Sequence, residues 1–515
     1  MVGGGHNGLV AACYLARAGV RVQVLEQSDR LGGGSRTEEL IPGFRFNTHS
    51  AAHNILNATD IAGELRLHEV GLRYREMDPF SVAVFSDGRI VRFHRSVEAT
   101  VDSLAEVDRA EADRYAAWMR EAMPVVSAAR WGLEAGAGHR RRLRTAPRVT
   151  WGAAQALVRG GGPAGLGRTL LLPYGRMLRE RFATDLVRAP VSAFAAHASA
   201  SPEAPGGAMF ALWQAFYHQV GQWHAVGGSG ALVTALTARL EQLGGSWRVN
   251  APVARITRAG RAETDPVTGV ELESGERLHA DSVLSAVDPA VALLDLLDPP
   301  LGGEPARQLR AVSRSNAVQM VVHLAVNQLP AYPTARPGDW NGLQSYVDTL
   351  DDLADGFAQA QARRLPQGRV PTYSFTPSAL EDSLAPAGQH TVYLACPCAP
   401  AVLEGGWEQA AEGFADRMVA TVEARAPGFT ASVVGRSVRT PELMQRELRW
   451  PGAHPMYLDL GLHQSGPLRP TPALARHLTP VPGMVISGAG THPVGGIAGT
   501  PGRAAARALL HQVSR

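Results

Sequence analysis

The chain opens on a helical pattern that begins only a few residues after its start. After MVGGGHNG, the stretch LVAACYLARAG spaces Leu9, Cys13 and other apolar residues as a helix does, and Gly19 closes the run. The next stretch, VRVQVLE, predicts a strand that ends in Glu26. The pattern therefore predicts a glycine turn, a helix and a strand in immediate succession.

The turn before this helix has the spacing G-x-G-x-x-G. The first glycine permits a tight turn, the second lets the backbone approach a pyrophosphate, and the third lets the helix pack on the sheet. The helix N-terminus offers N–H groups to phosphates, and an acidic residue such as Glu26, 18 positions after Gly8, can bind a ribose. The unit predicts a dinucleotide site that contains Gly3, Gly5, His6, Asn7, Gly8 and Glu26.

A second glycine cluster distinguishes between the two common dinucleotides, NAD and FAD. Within QSDRLGGGSRTEELIPGFRF, the glycines at 32–34 are followed by Ser35 and Arg36. A nicotinamide enzyme has no evident need for them, whereas a flavin is longer and needs additional backbone donors. We therefore expect FAD, with Arg36 at the pyrophosphate or the flavin edge. A solvated loop arginine is the alternative.

Two further glycine-rich turns occur far along the chain. GQWHAVGGSGALVTALTARLEQLGG predicts a turn and an amphipathic helix with Leu232, Leu236 and Leu240 on one face. The following residues predict extended strands and a hairpin turn at Ser274-Gly275. VPGMVISGAGTHPVGGIAGTPGRAAARALLHQ, near the C-terminus, predicts a strand, a glycine turn and a closing helix.

Taken in order, these motifs resemble the bacterial-type phytoene (carotenoid) desaturase family, within the larger amine-oxidase-like FAD superfamily. GAGTHPVGGIAG is similar to the C-terminal signature of that family. One branch, which includes the pyridine nucleotide-disulphide oxidoreductase domain-containing protein 2, looks closer still. The matching stretches are GGGHNGLVAA, RTEELIPGF, GQWHAVGGSGAL, PSALEDSLAPAGQH and GMVISGAGTHP. They extend from Gly3 to about Ala508, which is nearly the whole chain.

The resemblance implies an α/β (α+β) fold, in which a Rossmann-like FAD-binding domain carries an inserted substrate-binding domain of mixed sheet and helices. It implies that Val253 meets the adenine through its backbone and that Gly33, Gly34, Ser35 and Arg36 lie on the flavin side. The C-terminal turn would cover the pyrophosphate and the flavin, through Gly488, Gly490, Thr491, Gly495, Gly496 and Ile497.

Two residues of the C-terminal turn depart from related sequences. Ala489 stands where many members of the superfamily have an acidic residue, although phytoene desaturases tolerate alanine there. Val494 stands where the family signature has glycine, which places a side chain close to the expected flavin.

The cofactor segments are far apart in sequence, so we expect the substrate domain to be inserted between them. The FAD-binding domain would comprise residues 1–95, 222–290 and 440–515, and the substrate domain residues 96–221 and 291–439.

Composition and charge exclude several classes of protein. The 515 residues are 45% hydrophobic and 19% charged, as in globular proteins, and 50 basic against 47 acidic residues give no reason to expect nucleic acid. Three cysteines cannot form a disulfide framework, so we expect a reducing, cytoplasmic compartment. The chain has neither an H-E-x-x-H motif nor a second ligand pair for Cys396-Pro397-Cys398, so we expect no metal.

Contact with a membrane surface and the oligomeric state stay undecided at this point. No apolar run reaches the roughly 20 residues that span a bilayer, and no signal-peptide pattern is present. A basic cluster from Arg140 to Arg148 precedes the apolar stretches TLLLPYGRML and MFALWQAFYHQV. This region could lie over the substrate tunnel and touch a membrane. A helical cap with solvated arginines is the alternative.

The candidates for proton transfer are three residues near glycine motifs. His492, in GTHP, is close to the expected flavin and could transfer a proton, or it could hold the loop or cap the last helix. Trp223 and His224 could face the pocket, and His454 is a weaker candidate.

The expected function is that of an FAD-dependent oxidoreductase acting on a small molecule. It would desaturate or dehydrogenate an apolar or amine-like substrate, such as a polyene, carotenoid or specialised metabolite, by hydride transfer to flavin N5. Alternatives are a flavin amine oxidase, a redox-coupled cyclase or isomerase, and a non-catalytic flavoprotein that acts through partners. An amine oxidase predicts an aromatic cage, which the 6% aromatic content supports little.

The first glycine turn lacks room for the strand that normally precedes it. A strand of about five residues is expected there, in the centre of the sheet, but only Met1 and Val2 precede Gly3. We expect the natural chain to start upstream with a short apolar, β-branched run. A shortened strand that starts at Met1 is the alternative.

Overall fold

The fold is given by a computed structural model that describes residues 1–135, 139–159 and 162–513, without the side chains of 132–135, 139–145 and 159. The helices are α1 (His6–Arg17), α2 (Asn54–Asn57), α3 (Ile61–Glu64), α4 (Val97–Ala105), α5 (Arg109–Ala135), α6 (His139–Arg159), α7 (Gly162–Leu171), α8 (Tyr174–Arg181), α9 (Asp185–Ala196), α10 (Ala208–Ala211), α11 (Trp213–Val220), α12 (Gly230–Gln242), α13 (Gly303–Arg310), α14 (Leu350–Gln361), α15 (Ala411–Glu423), α16 (Phe429–Ser432), α17 (Pro441–Leu448) and α18 (Thr500–Val513).

The strands are β1 (Gln23–Leu25), β2 (Thr37–Ile41), β3 (Phe44–Asn47), β4 (Tyr74–Glu76), β5 (Ser81–Val84), β6 (Ile90–Phe93), β7 (Trp223–Ala225), β8 (Ser246–Arg248), β9 (Val253–Arg258), β10 (Val267–Leu272), β11 (Arg277–His279), β12 (Val283–Ser285), β13 (Leu297–Asp298), β14 (Ala317–Val326), β15 (Leu343–Ser345), β16 (Tyr373–Phe375), β17 (His390–Pro400), β18 (Val433–Arg439) and β19 (Met484–Ile486).

The first residues of the chain lie in the middle of a parallel sheet. β8 pairs with β1, and β12 pairs with β19. Val2 bridges these two pairs, since it is parallel to Leu25 on one side and to Ser285 on the other. Its N–H donates to Leu284 O at 2.9 Å, and its carbonyl accepts from Ala286 N at 2.8 Å. The segment before the first glycine turn therefore has the central place that the motif predicts.

The elements predicted around the glycine turns are confirmed. α1 begins at His6, and Gly19, beyond its C-terminus, has a φ of +86°. α12 buries Leu232, Leu236 and Leu240 on one face. β10 and β11 form the predicted hairpin, and α18 is the predicted closing helix. Together with the mixed sheets and helices in the rest of the described chain, this architecture confirms the α/β (α+β) fold.

The larger sheet has seven strands in the order β18-β14-β17-β16-β15-β5-β6. Its residues and those of α5, α8, α9 and α11 share one hydrophobic cluster. β5 and β6 belong to this sheet, although the predicted boundary near residue 95 groups them with the cofactor segments. The division of the chain into domains stays a prediction.

No helix in the described ranges is long and apolar enough to span a bilayer. Most of the predicted basic cluster, residues 140–144, belongs to the residues whose side chains the structure does not describe. Arg148 is described, and its guanidinium lies 4.4 Å from the ring centroid of Trp131. Membrane contact at this surface stays a prediction.

Candidate active site

One cavity collects residues from all three predicted cofactor segments. This cavity, here called cavity 1, encloses about 1460 Å³ of empty space, counting the part that opens to solvent. The predicted site residues that line it are Gly5, His6, Asn7, Gly8, Gly33, Gly34, Gly488, Gly495, Gly496 and Ile497. The fold thus brings together segments separated by more than 400 positions of the sequence.

The glycine loops form the floor of cavity 1. Gly32 N donates to Gly4 O at 2.9 Å, which joins the first turn to the second glycine cluster. A Cβ on Gly5 would meet nothing within 4 Å, so the backbone there faces open space. No side chain caps the N-terminus of α1, which leaves its first N–H groups available to an anion. These residues fit the pyrophosphate of a dinucleotide.

Gly8 has the packing role that its motif predicts. A Cβ at this position would lie 2.4 Å from Gly3 O and 3.1 Å from Ala286 Cβ. The opposite side of α1 is equally tight, because a Cβ on Gly502 of α18 would lie 2.1 Å from Asn7 O. α1 is therefore fixed between the parallel sheet and α18.

Glu26 stands at the end of β1, where it organises the first loop. Its Oε2 accepts from Gly4 N at 2.8 Å, and its Oε1 accepts from Ser28 Oγ at 2.7 Å. Arg36 Nη2 donates to the same Ser28 hydroxyl at 2.7 Å. Arg36 therefore reaches the Glu26 network, and it does not line cavity 1.

The remaining predicted cofactor residues lie behind the cavity wall. Gly3 forms the tight turn at a φ of +93°, and Ser35 Oγ donates to Ser229 O at 3.1 Å. Val253 begins β9, two residues after Ala251, whose N–H donates to Glu26 O at 2.9 Å.

Two residues of the C-terminal turn are also behind the wall. A Cβ on Gly490 would lie 2.7 Å from Pro289 Cδ, and Thr491 Oγ donates to Gly488 O at 2.9 Å. These residues shape the turn beside cavity 1, although their side chains do not line it.

Aromatic side chains cover much of cavity 1 above the glycine floor. They are Phe194, Phe210, Trp213, Tyr217, Tyr373, Phe375, Tyr393, Trp450 and Tyr457. Phe194 and Tyr217 meet edge to face, with ring centroids 4.4 Å apart. Tyr373 and Phe375 do so at 6.1 Å, and Phe375 and Tyr393 at 6.3 Å. The low aromatic content does not argue against a cage, because the fold concentrates rings from α9, α10, α11, β16, β17 and the segment after α17 here.

The polar groups of cavity 1 are uncharged. None of the described residues that line it is Asp, Glu, Lys or Arg. Burial lowers the pKa of His6 to about 4 and holds the pKa values of His49 and His197 below the ordinary 6.5. These imidazoles are therefore neutral at neutral pH.

The neutral histidines differ in which ring nitrogen forms a hydrogen bond. His6 Nε2 donates to Gly496 O at 3.0 Å, and His197 Nδ1 donates to Phe194 O. The Nδ1 atom of His49 is buried and has no hydrogen-bond partner among the described residues. A Cβ on Gly34 would lie 3.7 Å from His49 Cβ, so His49 adjoins the second glycine cluster.

Tyr217 carries a hydroxyl whose oxygen is already engaged. Asn54 Nδ2 donates to it at 2.8 Å, and Asn54 Oδ1 accepts from Trp223 N at 3.1 Å. Burial raises the pKa of Tyr217, so the phenol keeps its proton. That proton is available to donate into the cavity.

His49 and Asn54 were not among the predicted site residues. One signal was available, because HSAAHN comes shortly after β3 and concentrates polar residues after a strand end. The rings of α11 belong to the aromatic stretch that was considered as a cover of the substrate tunnel, whereas the rings of the other segments had no local signal, since those segments are distant in sequence.

The histidine predicted nearest to the flavin does not line cavity 1. His492 lines a neighbouring cavity, here called cavity 2, where its ring lies 6.2 Å from that of His477. The peptide bond between His492 and Pro493 is cis, and both residues are among those that line cavity 2 and not cavity 1. The prediction that His492 faces the flavin-side pocket is therefore not supported by the position of its ring.

The other three candidates are also outside cavity 1. Trp223 Nε1 donates to Val220 O at 2.7 Å. His224 is fully buried, with Nε2 3.0 Å from Glu381 Oε1, and Glu381 also accepts from Gly227 N. His454 lies 3.2 Å from Asp459. Their contacts tie loops together and do not reach the cavity.

The C-terminal glycine turn is held from behind by Arg469. This buried guanidinium donates to Ala489 O at 2.9 Å, Met456 O at 2.6 Å and Asp459 O at 3.0 Å. Burial away from a direct carboxylate partner lowers its pKa to about 10. Arg469 thereby fixes Ala489 and Met456, both of which line cavity 1.

Comparison with known proteins agrees with this arrangement. A family model described as flavin containing amine oxidoreductase matches residues 8–330. The pyridine nucleotide-disulfide oxidoreductase domain-containing protein 2 of Mus musculus is 30% identical over 557 residues, which cover 100% of this chain and 93% of the mouse protein.

Two more distant relatives extend the comparison. The lycopene-forming phytoene desaturase of Pantoea ananas is 24% identical, over 99% of this chain and 98% of that protein. The structure of cyclohexylamine oxidase from Brevibacterium oxydans IH-35A has the same fold, with a TM-score of 0.58, 14% identity and coverage of 100% and 98%. The chain belongs to the flavin-containing amine oxidoreductase family, and it is an oxidoreductase with FAD as its cofactor.

Proposed function

We propose that the protein dehydrogenates an uncharged, largely apolar small molecule in cavity 1. The observation that carries this proposal is the lining of the cavity, which has aromatic rings and neutral polar groups and, among the described residues, no charged side chain. A charged substrate would lose hydration there without gaining an ionic partner, which is costly. An apolar substrate gains about 25 cal/mol for each Å² of its surface that is buried.

The three glycine segments would hold FAD. Gly5, Gly8 and the N-terminus of α1 would bind its pyrophosphate, and Glu26 would face the ribose beside β9. Gly33, Gly34 and residues 495–497 would border its ring. When bound, FAD supplies the hydride acceptor.

The chain itself would remove the proton that accompanies dehydrogenation. His49 suits this role because it is neutral and lines cavity 1 beside Gly34. The aromatic walls would orient the substrate and exclude water. Relatives named for phytoene, a hydrocarbon, are consistent with this chemistry.

A flavin amine oxidase is the second candidate, and the aromatic lining favours it. Rings such as Tyr373, Phe375 and Tyr393 can surround an amine, whose lone pair makes a strong base less necessary. Cyclohexylamine oxidase shares the fold. A redox-coupled cyclase or isomerase, and a flavoprotein that acts through partners without turnover, are further alternatives without a specific observation in their favour.

The test is an aerobic turnover screen with product analysis by mass spectrometry. Polyenes, cyclic terpenes and neutral lipids would be compared with primary and secondary amines of similar size. We expect a hydrocarbon to lose two hydrogens, without release of ammonia. Turnover of amines alone, with formation of hydrogen peroxide and a carbonyl product, would replace this proposal with the second candidate.

A further inference from the structure

Five apolar side chains lie between cavity 1 and cavity 2 and line both. Ile55, Phe210, Trp213, Leu460 and Val494 line both cavities, and these residues are here called the neck. Each comes from a different part of the chain, apart from the neighbours Phe210 and Trp213. The neck therefore forms where several elements converge between the two spaces.

α11 and the C-terminal turn each contribute some residues to cavity 1 and others to cavity 2. On α11, Trp213 lines both cavities. Tyr217, four residues later, lines cavity 1, and Phe216, three residues later, lines cavity 2. Residues at either spacing lie next to each other on the surface of a helix. In the turn, Ala489 and Gly495 line cavity 1, and His492 and Pro493 line cavity 2. Val494 lies between these sets and lines both cavities.

Cavity 2 offers a large apolar space on the far side of the neck. It encloses about 2240 Å³ of empty space, counting the part that opens to solvent. Its lining is largely apolar and includes Val126, Leu170, Phe216 and Pro467, together with Arg130, Arg476 and Arg503. A hydrocarbon chain that entered it would bury its apolar surface away from water.

We propose that cavity 2 receives the distal part of a long, unbranched apolar substrate whose reacting end lies in cavity 1, and that Val494 sets the cross-section that the neck admits. This inference rests on the proposed function, since it assumes that the molecule oxidised in cavity 1 is apolar. It adds that the substrate is linear and longer than cavity 1 alone accommodates.

The chemistry of Val494 suits a selective neck. Its β-branched side chain has restricted rotation about χ1, so it presents a nearly fixed surface. The residues that follow it, Gly495 and Gly496, have no side chain that could share this role. Glycine at 494, which is typical of the signature that the turn resembles, would widen the neck by a whole isopropyl group.

The experiment measures binding of primary n-alcohols of 6 to 14 carbons to the FAD-loaded protein by isothermal titration calorimetry. For the wild type we expect affinity to rise about fourfold for each added carbon, through the whole series. Val494→Phe narrows the neck, and Leu170→Trp partly fills cavity 2 beyond it. Both variants should stop the rise within the series, Val494→Phe at the shorter length, and bind the longest alcohol at least tenfold more weakly.

Two further variants complete the experiment. Val494→Gly should bind a ring-terminated alcohol about tenfold more tightly than the wild type does. Trp151→Ala, a change at a side chain that is 68% exposed and lines neither cavity, should reproduce the wild-type series.

Two results would overturn the inference. One is an unbroken rise in affinity for both Val494→Phe and Leu170→Trp. The other is a break in Val494→Phe alone, which would place the distal chain outside cavity 2. Binding requires no turnover, so a failure of the proposed oxidation would be seen separately, as the absence of flavin reduction by any hydrocarbon.

Discussion

The amide of Asn54 donates a hydrogen bond of 2.8 Å to the phenolic oxygen of Tyr217, and this contact joins α2 to α11 at the wall of cavity 1. Both side chains are buried, so the amide has no access to bulk water if the phenol is removed. Because Tyr217 lines cavity 1, a substrate or cofactor there is a candidate acceptor for the proton of its phenol.

Tyr217→Phe therefore distinguishes the two candidate functions. With a hydrocarbon substrate we expect flavin reduction to change less than about twofold, because there is no polar group for the phenol to bind. With an amine substrate the loss should be about tenfold, from one hydrogen bond of about 1–1.5 kcal/mol. The variant should also unfold more easily by about 1–3 kcal/mol, because Asn54 Nδ2 loses its acceptor.

The position of neutral His49 in the wall of cavity 1 predicts a specific loss of proton transfer. His49→Asn should lower the rate of flavin reduction by about 100-fold or more and leave FAD occupancy unchanged. Burial lowers the pKa of His49, with His323, Arg439 and Arg36 acting in the same direction. The wild-type rate should therefore be level through neutral pH and fall only in acid, as the imidazole takes up a proton. His197→Asn is the matched control, and an equal loss there would contradict the assignment.

The glycines of the first turn predict two different defects. Gly5→Ala places its Cβ in open space, so the protein should fold normally and lose FAD occupancy. Gly8→Ala places its Cβ 2.4 Å from Gly3 O, so it should destabilise the fold by about 2 kcal/mol or more. Denaturant unfolding and absorbance of the bound flavin measure the two effects. Full FAD occupancy in Gly5→Ala would show that the pyrophosphate binds elsewhere.

Arg469 predicts a link between stability and the C-terminal turn. Arg469→Met leaves the buried carbonyls of Ala489, Met456 and Asp459 without their donor. We expect a loss of about 3–5 kcal/mol in the free energy of unfolding and faster release of FAD. Arg469→Lys keeps the charge but not the planar fork of donors, so it should recover only part of this stability.

The buried histidines predict that acid weakens the fold. Burial lowers the pKa of His53 and His323 to about 3 and that of His6, His218 and His477 to about 4. Below pH 6.5 the unfolded chain binds protons that the native fold does not. The free energy of unfolding should therefore fall as the pH falls, until the native pKa values are reached.

His323 offers the cleanest single test of this pH dependence. It packs between Phe46 and Tyr393, and neither ring nitrogen forms a hydrogen bond of ordinary geometry with a described residue, although the Thr48 backbone approaches the ring. His323→Phe should reduce the loss of stability between pH 7.5 and pH 4.5 by at most about 3 kcal/mol. An unchanged pH slope would mean that the pKa of His323 is the same in the native and unfolded states.

The local cofactor motifs could be predicted from sequence because each has its own signal. Gly3, Gly5 and Gly8 specify their turn by spacing, and Leu232 and Leu236 specify α12 by periodicity. The convergence of the three segments followed from the resemblance to a family, since no local pattern encodes contacts between residues more than 400 positions apart.

The identity of the active-site side chains could not be predicted in the same way. His492 was chosen because it stands inside a glycine motif, but its ring lines cavity 2. His224 was chosen because it precedes another motif, but its partner is Glu381, 157 positions away. The residues proposed to act in cavity 1, Tyr217 and His49, meet the surrounding rings only through tertiary packing.

Anaerobic reduction of the bound flavin tests the central claim most directly. The FAD-loaded protein would be titrated, without oxygen, with uncharged hydrocarbons and with amines of matched size, and flavin absorbance would be followed. We predict that at least one linear hydrocarbon bleaches the flavin in a single turnover and that His49→Asn slows this step about 100-fold or more. Bleaching by amines alone, or by no compound of either class, would contradict the account.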